Sequence, residues 1–528
     1  MKLHHLYIAS MLAAGLILTT SCSDSFLDKN SLTESSTETF WQTEDDATMA
    51  MVACYDGLQS NQIYGGGPWD LGQLNMDCMT DNGGHFNWSG WVEGYDIANG
   101  THSASSWAVG SFWDALYEVV KRCNSLIANI DRVPMSETKI EQYKAEAMTL
   151  RALMYIHLTM TYNDVPYLTE PLTIDNAEKP ATPRAEIVTA EIQNLKAAVP
   201  NLPVTAERGR LTRGAGYAIL GRLALYNKMW DEAIGAYQEV MKLGYSLAPD
   251  YTALFTPAGE TQPEIIFAVR FEGPGLDEGA VFNAHWNTPI ESMNGTLDLA
   301  DDYYKLDGTK ATERNYAAKK ADGSLDVSKP NFDYWKGRDP RLYATLFVPG
   351  MYWNGLGGEE SPYGGAASSL STIYVMKYFD PTDTGNSWDN AQDFYVVRYA
   401  EVLLSLAEAL VEKGSYNEAN VLSLVNQVRQ RVGMPKVEDV EGTGLSKDKL
   451  LQVVRHERRV ELAFEGLRLY DEYRWHQLKE AIDIVNNERI TYGLNYEPRV
   501  YNGERDYKWP IPTDEIDSNP QLKQHEGW

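Results

Sequence analysis

One stretch limits what this chain can fold into: RHERRVELAFEGLRLYDEYRW at 455–475. At about 100° per residue it forms a helix over 447–464, broken at Gly466, with a second helix beginning after the break. Leu450, Val453, Val454, Val460 and Phe464 fall on one arc of roughly 100°, an apolar face. Glu457 and Glu461 fall near the middle of that arc. Two carboxylates one turn apart on a buried face are costly unless paired. They are either a catalytic pair or one half of an Arg–Glu network that ties the helix to its neighbours. Arg398, Arg429, Arg468 and Arg474 offer planar forks for the second arrangement, which is the favoured one.

Helical periodicity fills most of the remaining chain. A first helix spans 40–59, capped near Thr37 or Thr39, and others span 112–130, 140–162, 184–199, 211–228 and 230–243. After a long interruption they resume at 397–412, 419–431, 447–464 and 467–486. Two hairpins share a signature. Gly221 and Ala233 stand twelve apart, as do Ala407 and Ala419, with corresponding turns at 228–232 and 414–418. Small side chains let paired helices approach closely, so the spacing points to tetratricopeptide-like helical-pair repeats, an alpha-alpha superhelix. The fold expected is mostly α, with four helix pairs and a large irregular, loop-rich lobe holding a few short strands. The scaffold takes residues 37–60, 107–245 and 395–486. The lobe takes 61–106 and 249–394, with strands at 264–270 and 373–378, and 487–528 is a tail.

Residues 1–21 read as an export signal: Lys2 with His4 and His5, then an apolar run over 6–18 too short to span a bilayer. Leu18-Thr19-Thr20-Ser21-Cys22 resembles a lipobox, loosely, since Leu18 lies four residues before the cysteine. An acylated Cys22 would be the anchor and 22–36 its tether, with Asp24 and Asp28 resembling a surface-export signal. Cys54, Cys78 and Cys123 match no metal or redox spacing, and spacing assigns them no bridge.

The formal charge of −28 repels nucleic acid and polyanions at long range and favours neutral partners. No nucleophile elbow, zinc motif or Walker loop is present in the 528 residues. No cofactor is expected, and a structural calcium among the many carboxylates stays open. Aromatic residues are plentiful, with 14 Trp and 32 Tyr, and several lie among glycines in the lobe. A sugar presents apolar C–H faces and a rim of hydroxyls, which flat rings and planar polar side chains match. In the first loop region the candidates are Trp69, Trp88, Trp91 and Tyr95, and in the insertion Trp286, Tyr303, Tyr304, Tyr334, Trp335, Tyr352 and Trp353. Asn87, Asn283 and Arg338 are candidate rim groups.

The 455–475 stretch strongly resembles the ER-x-x-ELAFEG-x-R-x-x-D-x-x-RW pattern of the SusD/RagB family of surface glycan-binding lipoproteins. WKGRDPRLYATLFV (335–348), RYAEVLLSLAEAL (398–410), VNQVRQRVGMP (425–435) and the tail from 508 to 528 resemble other parts of it. The resemblance implies one SusD-like domain over 37–528 and a shallow binding arc drawn from the two loop regions. Trp88, Trp91, Trp286, Trp353, Trp335, Tyr304, Asn87, Asn283 and Arg338 are the residues expected in it. It further implies a non-catalytic protein on the outer face of the outer membrane, held by lipid at Cys22. Such a protein captures an oligosaccharide or polysaccharide for a SusC-like TonB-dependent transporter. The alternatives are a peptide-capturing member of the same family, a surface glycoside hydrolase using Glu457 and Glu461, and a repeat scaffold that binds other proteins.

Overall fold

The computed structural model describes residues 40–85, 94–173, 175–286, 293–311, 313–353, 356–357, 373–380 and 388–528. Asn87, Trp88, Trp91 and Cys22 lie outside these residues. Eleven long helices form the frame. They are α1 (Glu44–Asp56), α2 (Trp107–Asn129), α3 (Glu137–Thr161), α4 (Arg184–Ala198), α5 (Arg213–Tyr226), α6 (Trp230–Met241), α7 (Tyr399–Lys413), α8 (Glu418–Arg431), α9 (Lys447–Leu462), α10 (Arg468–Trp475) and α11 (Leu478–Tyr492). The pairs α1/α2, α3/α4, α5/α6 and α7/α8 pack internally, and each pair touches the next through α2/α3, α4/α5 and α6/α7. The insertion between α6 and α7 therefore interrupts the sequence without interrupting the stack.

The α5/α6 hairpin uses its small residues as the spacing predicts. A Cβ at Gly221 would lie 2.7 Å from the Tyr237 ring, and Ala233 is buried beside it. The second hairpin differs. Ala407 is buried but Ala419 is exposed in the first turn of α8, and Val421, Leu422 and Val425 make the buried face instead. The first helix is capped at Thr43, whose hydroxyl accepts from the Asp46 N–H while the Asp46 carboxylate accepts from the Thr43 N–H. This places the cap several residues after Thr37 and Thr39. The 467–486 run is two helices, because His476 turns left-handed at φ 60°. α9 ends at Leu462 for a similar reason: Phe464, at φ 59°, leaves the helix while staying buried.

Strands are short. Ile265–Val269 pairs antiparallel with Phe394–Arg398, where the chain re-enters the scaffold. Gly83–His85, Met293–Gly295, Tyr374–Val375 and Leu346–Phe347 form a four-stranded antiparallel sheet in that order. That sheet joins the early loop region to the insertion, so the two parts of the lobe share one core.

Glu457 and Glu461 are fully buried. Arg341 lies 2.6 Å from Glu457 and 2.9 Å from Glu461, and Arg429 lies 3.1 Å from Glu457. Arg398 and Arg431 each meet Glu461 at 2.5 Å. The same two arginines reach Glu264, at 2.7 and 3.1 Å. Arg398 and Lys377 close on Glu465 at 2.7 and 2.6 Å. The pair is structural, and no oxygen of it reaches solvent. Burial alone would raise the pKa of Glu461. The guanidinium groups of Arg431, Arg398 and Arg341 outweigh burial and hold its carboxyl well below the usual carboxylate range.

Removing one side of this network strands buried charge. Glu461→Ala is expected to lower stability by about 3 to 5 kcal/mol, read as the shift in denaturant midpoint. Glu480→Ala, at an exposed position of α11, should stay within about 0.5 kcal/mol. Because the Glu461 pKa is depressed on folding, its contribution is complete at neutral pH and is lost as pH falls below about 4.3. The wild type should therefore lose more stability on acidification than Glu461→Ala does.

Candidate functional site

An open aromatic ledge stands on the lobe. Trp69 and Trp388 are 44% and 41% exposed, and their rings stack with centroids 4.8 Å apart and planes at 11°. Their outer faces are offered to solvent. The two come from distant parts of the chain, one from each loop region, and backbone hydrogen bonds explain their meeting. Trp69 sits in a tight turn in which the Asp70 N–H donates to Gly67 O at 3.2 Å. The buried Asn75 amide spans that turn, donating at 2.8 Å to both Gly67 O and Asp70 O. Trp388 precedes Asn390, which exchanges two backbone bonds of 2.8 Å with Ala280. The next residue, Val281, donates its N–H to Gly65 O at 3.3 Å. Residues 280 and 281 thus hold both loops. At Gly279 a Cβ would lie 2.5 Å from the Asp389 carbonyl carbon and 2.6 Å from the Asn390 nitrogen, so only glycine permits the approach of the two backbones.

The root of the Trp388 loop is an acid pair. Asp393 accepts the Phe271 N–H at 2.9 Å and donates its own N–H to Glu260 at 2.8 Å. Arg208 lies 3.1 Å from Glu260 and 3.8 Å from Asp393. Burial, then the neighbouring Asp393 charge, pushes the Glu260 carboxyl up to about 7, and burial pushes Asp393 up to about 6.

The structure separates the residues expected from sequence. Trp335 is 2% exposed, packed against Tyr316 and Tyr334, and so belongs to the core. Arg338 is buried too. It donates to Tyr303 O at 2.9 Å, pairs with Asp301 at 3.4 Å and lies over the Tyr334 ring at 4.7 Å, a set of contacts that fixes a turn. Asn283 is buried and clamps Asp380, accepting its N–H at 3.0 Å and donating to its carbonyl at 3.2 Å. These three are corrected from ligand contacts to supports, because burial keeps each from a ligand. Tyr304 is half-buried, with one face stacked on His456 at 4.2 Å. Trp286 ends a short helical turn, Phe282–Trp286, and Trp353 lies in a hairpin strand, Tyr352–Trp353. The side chains of both are outside the described residues.

Trp388 was absent from the residues expected from sequence. A signal for it existed: Asn386-Ser387-Trp388-Asp389-Asn390 interleaves an indole with small polar residues, as 87–91 does. Among the described residues no cluster of three or more His, Cys, Asp or Glu could hold a metal, and no helix is long and apolar enough to cross a membrane.

Known proteins share both the sequence and this architecture. The sequence profile of the SusD family matches residues 263–528. The chain belongs to the SusD family. A second profile, described as starch-binding associating with outer membrane, matches residues 25–225. SusD-like protein P25 of Formosa agariphila is 26% identical over 95% of each chain. A SusD-like carbohydrate-binding protein of Bacteroides fragilis is 27% identical, with a TM-score of 0.78, over 92% of this chain and all of that one. A laminarin-binding SusD-like protein is 25% identical, with a TM-score of 0.71, over 92% of this chain and all of that one. SusD proteins are non-catalytic binding proteins, in keeping with Glu457 and Glu461 being spent on arginines.

The acid pair gives this part of the SusD fold a pH signature. A carboxyl whose pKa is raised on folding stabilises the protein below the unfolded value, and that contribution is lost as pH rises through the folded value. Through Glu260, stability of the wild type should therefore decline between about pH 4.3 and pH 7. Glu260→Gln keeps an acceptor for the Asp393 N–H and should flatten that decline in melting temperatures measured from pH 5 to 8. Parallel profiles for the two proteins would remove Glu260 as the source.

Proposed function

We propose that this protein captures glycan at the cell surface and passes it to a SusC-type TonB-dependent transporter, anchored by lipid at Cys22. The observation that carries the reading is the exposed Trp69–Trp388 ledge. Two near-parallel indoles offer a flat, polarisable surface to the C–H face of a pyranose ring. A formal charge of −28 around them favours a neutral ligand over an anionic one. The carbohydrate-binding and laminarin-binding relatives, and the outer-membrane starch-binding profile, support the same class of ligand. Trp88, Trp91, Trp286, Trp353, Tyr304 and Asn87 are further candidates for ligand contact on residue type. The lipobox-like sequence at 18–22 supports the anchor.

Capture of this kind requires no bond-breaking. It raises the local ligand concentration at the transporter mouth, where weak and fast-exchanging contacts suffice. Trp69→Ala and Trp388→Ala should each weaken binding of a neutral oligosaccharide by about five- to tenfold, the ~1 to 1.5 kcal/mol of one aromatic face. Calorimetric titration against a panel of glycans and peptides checks this, with an unchanged melting temperature as the control. A peptide ligand, or equal glycan affinity in both variants and the wild type, would overturn the ledge as the site. Cys22→Ala should move the protein out of the outer-membrane fraction, and affinity capture from detergent-solubilised membranes should recover a β-barrel transporter.

A further inference from the structure

Cys54, Cys78 and Cys123 are buried free thiols. Two of them face each other across the first helix pair. Cys54 lies near the end of α1, and Cys123 lies 69 positions further on, within α2. The helices approach closely there. A Cβ at Gly57 would sit 2.8 Å from Val119, so a larger residue would push α1 away. The guanidinium of Arg122, next to Cys123, donates to the carbonyl of Ala53, next to Cys54, at 2.7 Å, and to Asp56 at 2.6 Å. These contacts bracket the two cysteines and place the Cys54 thiol near enough to act on the Cys123 thiol. The Cys54 thiol also donates to Ala50 O at 3.3 Å. Cys78 has different neighbours, in the turn Asp77–Met79 beside Asp77 and Arg499.

We propose that Cys54 and Cys123 form a disulfide when the chain folds outside the cytoplasm, stapling α1 to α2. The inference rests on the surface location proposed above. The oxidant is a protein disulfide of the thiol–disulfide oxidoreductase class. One cysteine thiolate attacks that disulfide, giving a mixed disulfide and releasing one oxidant sulfur as a thiol. The second cysteine thiolate then displaces the other oxidant sulfur. Two cysteine thiols are oxidised to one disulfide, the oxidant's disulfide is reduced to two thiols, and the two protons pass to the oxidant. The exchange belongs to folding rather than to the finished protein, because both sulfurs are shut from solvent once α1 and α2 close. The staple has a mechanical use. A tether at Cys22 loads α1 first, and a bond to Cys123 carries that load into α2 and the stack behind it.

The test uses full-length protein recovered from the membrane fraction, denatured and alkylated with and without reductant, then digested. The expected result without reductant is a linked peptide containing Cys54 and Cys123, with Cys78 alkylated. Reduction should leave all three alkylated and lower the melting temperature of the native protein by several degrees. Cys54→Ala should free Cys123 for alkylation and abolish the linked peptide. Surface-located protein with Cys54 and Cys123 both alkylated before reduction would overturn the disulfide and leave the surface reading intact. Fractionation that finds the native protein in the cytoplasm would overturn the surface reading and the disulfide with it.

Discussion

The structure depends on one buried set of ion pairs. Five carboxylates, Glu264, Asp339, Glu457, Glu461 and Glu465, face five cations, Arg341, Lys377, Arg398, Arg429 and Arg431. The charges cancel, which is the condition for keeping so many ions out of water. The members come from three places. Glu264, Asp339, Arg341 and Lys377 belong to the insertion, Arg398 closes the returning strand, and the rest lie on or just beyond α8 and α9. The network is therefore the joint between lobe and scaffold. An apolar joint of the same size would slide more readily, because burial carries no direction. Bidentate arginines accept only one register, so the lobe is held at a fixed angle.

A second joint works on the early loop region. Arg459 reaches Asp81 at 3.1 Å, Asp298 at 2.9 Å and Asp302 at 2.5 Å. Arg468 meets Asp81 at 2.7 Å. Both arginines come from the segment that carries Glu457 and Glu461, so one stretch of about twenty residues fastens both halves of the lobe. Trp69 and Trp388 sit on loops bonded to residues 280 and 281, while the four-stranded sheet meets the chain just past α9 where Phe464 packs against Gly83.

The frame was legible in the sequence because helical periodicity records burial directly. Glu457 and Glu461 announced an ion network by sitting on an apolar arc, and the network exists. Of the four arginines the sequence offers, Arg398 and Arg429 join it, whereas Arg468 goes to Asp81 and Arg474 to Glu408 and Asp471; Arg341 and Arg431, which complete it, come from tertiary contacts that no wheel displays. The twelve-residue spacing was sound at Gly221 and Ala233 but coincidental at Ala419, which faces solvent. The site was less legible. Trp335, Arg338 and Asn283 were credited with ligand contact on residue type, and residue type does not separate an exposed ring or amide from one that anchors a turn. Trp69 was recognised as a candidate and Trp388 was missed, because stacking between residues 319 positions apart leaves no local pattern.

In the proposed role the ledge sets the terms of capture. Each indole spends one face on the other, which keeps the pair flat without a ligand, so little ordering remains to be done on binding. Asp70 and Asp389 flank the rings, but each accepts a backbone N–H of its own lobe, from Gly67 and Gly275. These two carboxylates are thus partly committed, and the apolar faces carry the proposed contact. One or two ring faces provide ~1 kcal/mol each, which corresponds to weak binding and short residence. If the proposed hand-over to a transporter holds, such a surface serves it better than an enclosed pocket would, since every further contact made on capture would have to be broken on delivery.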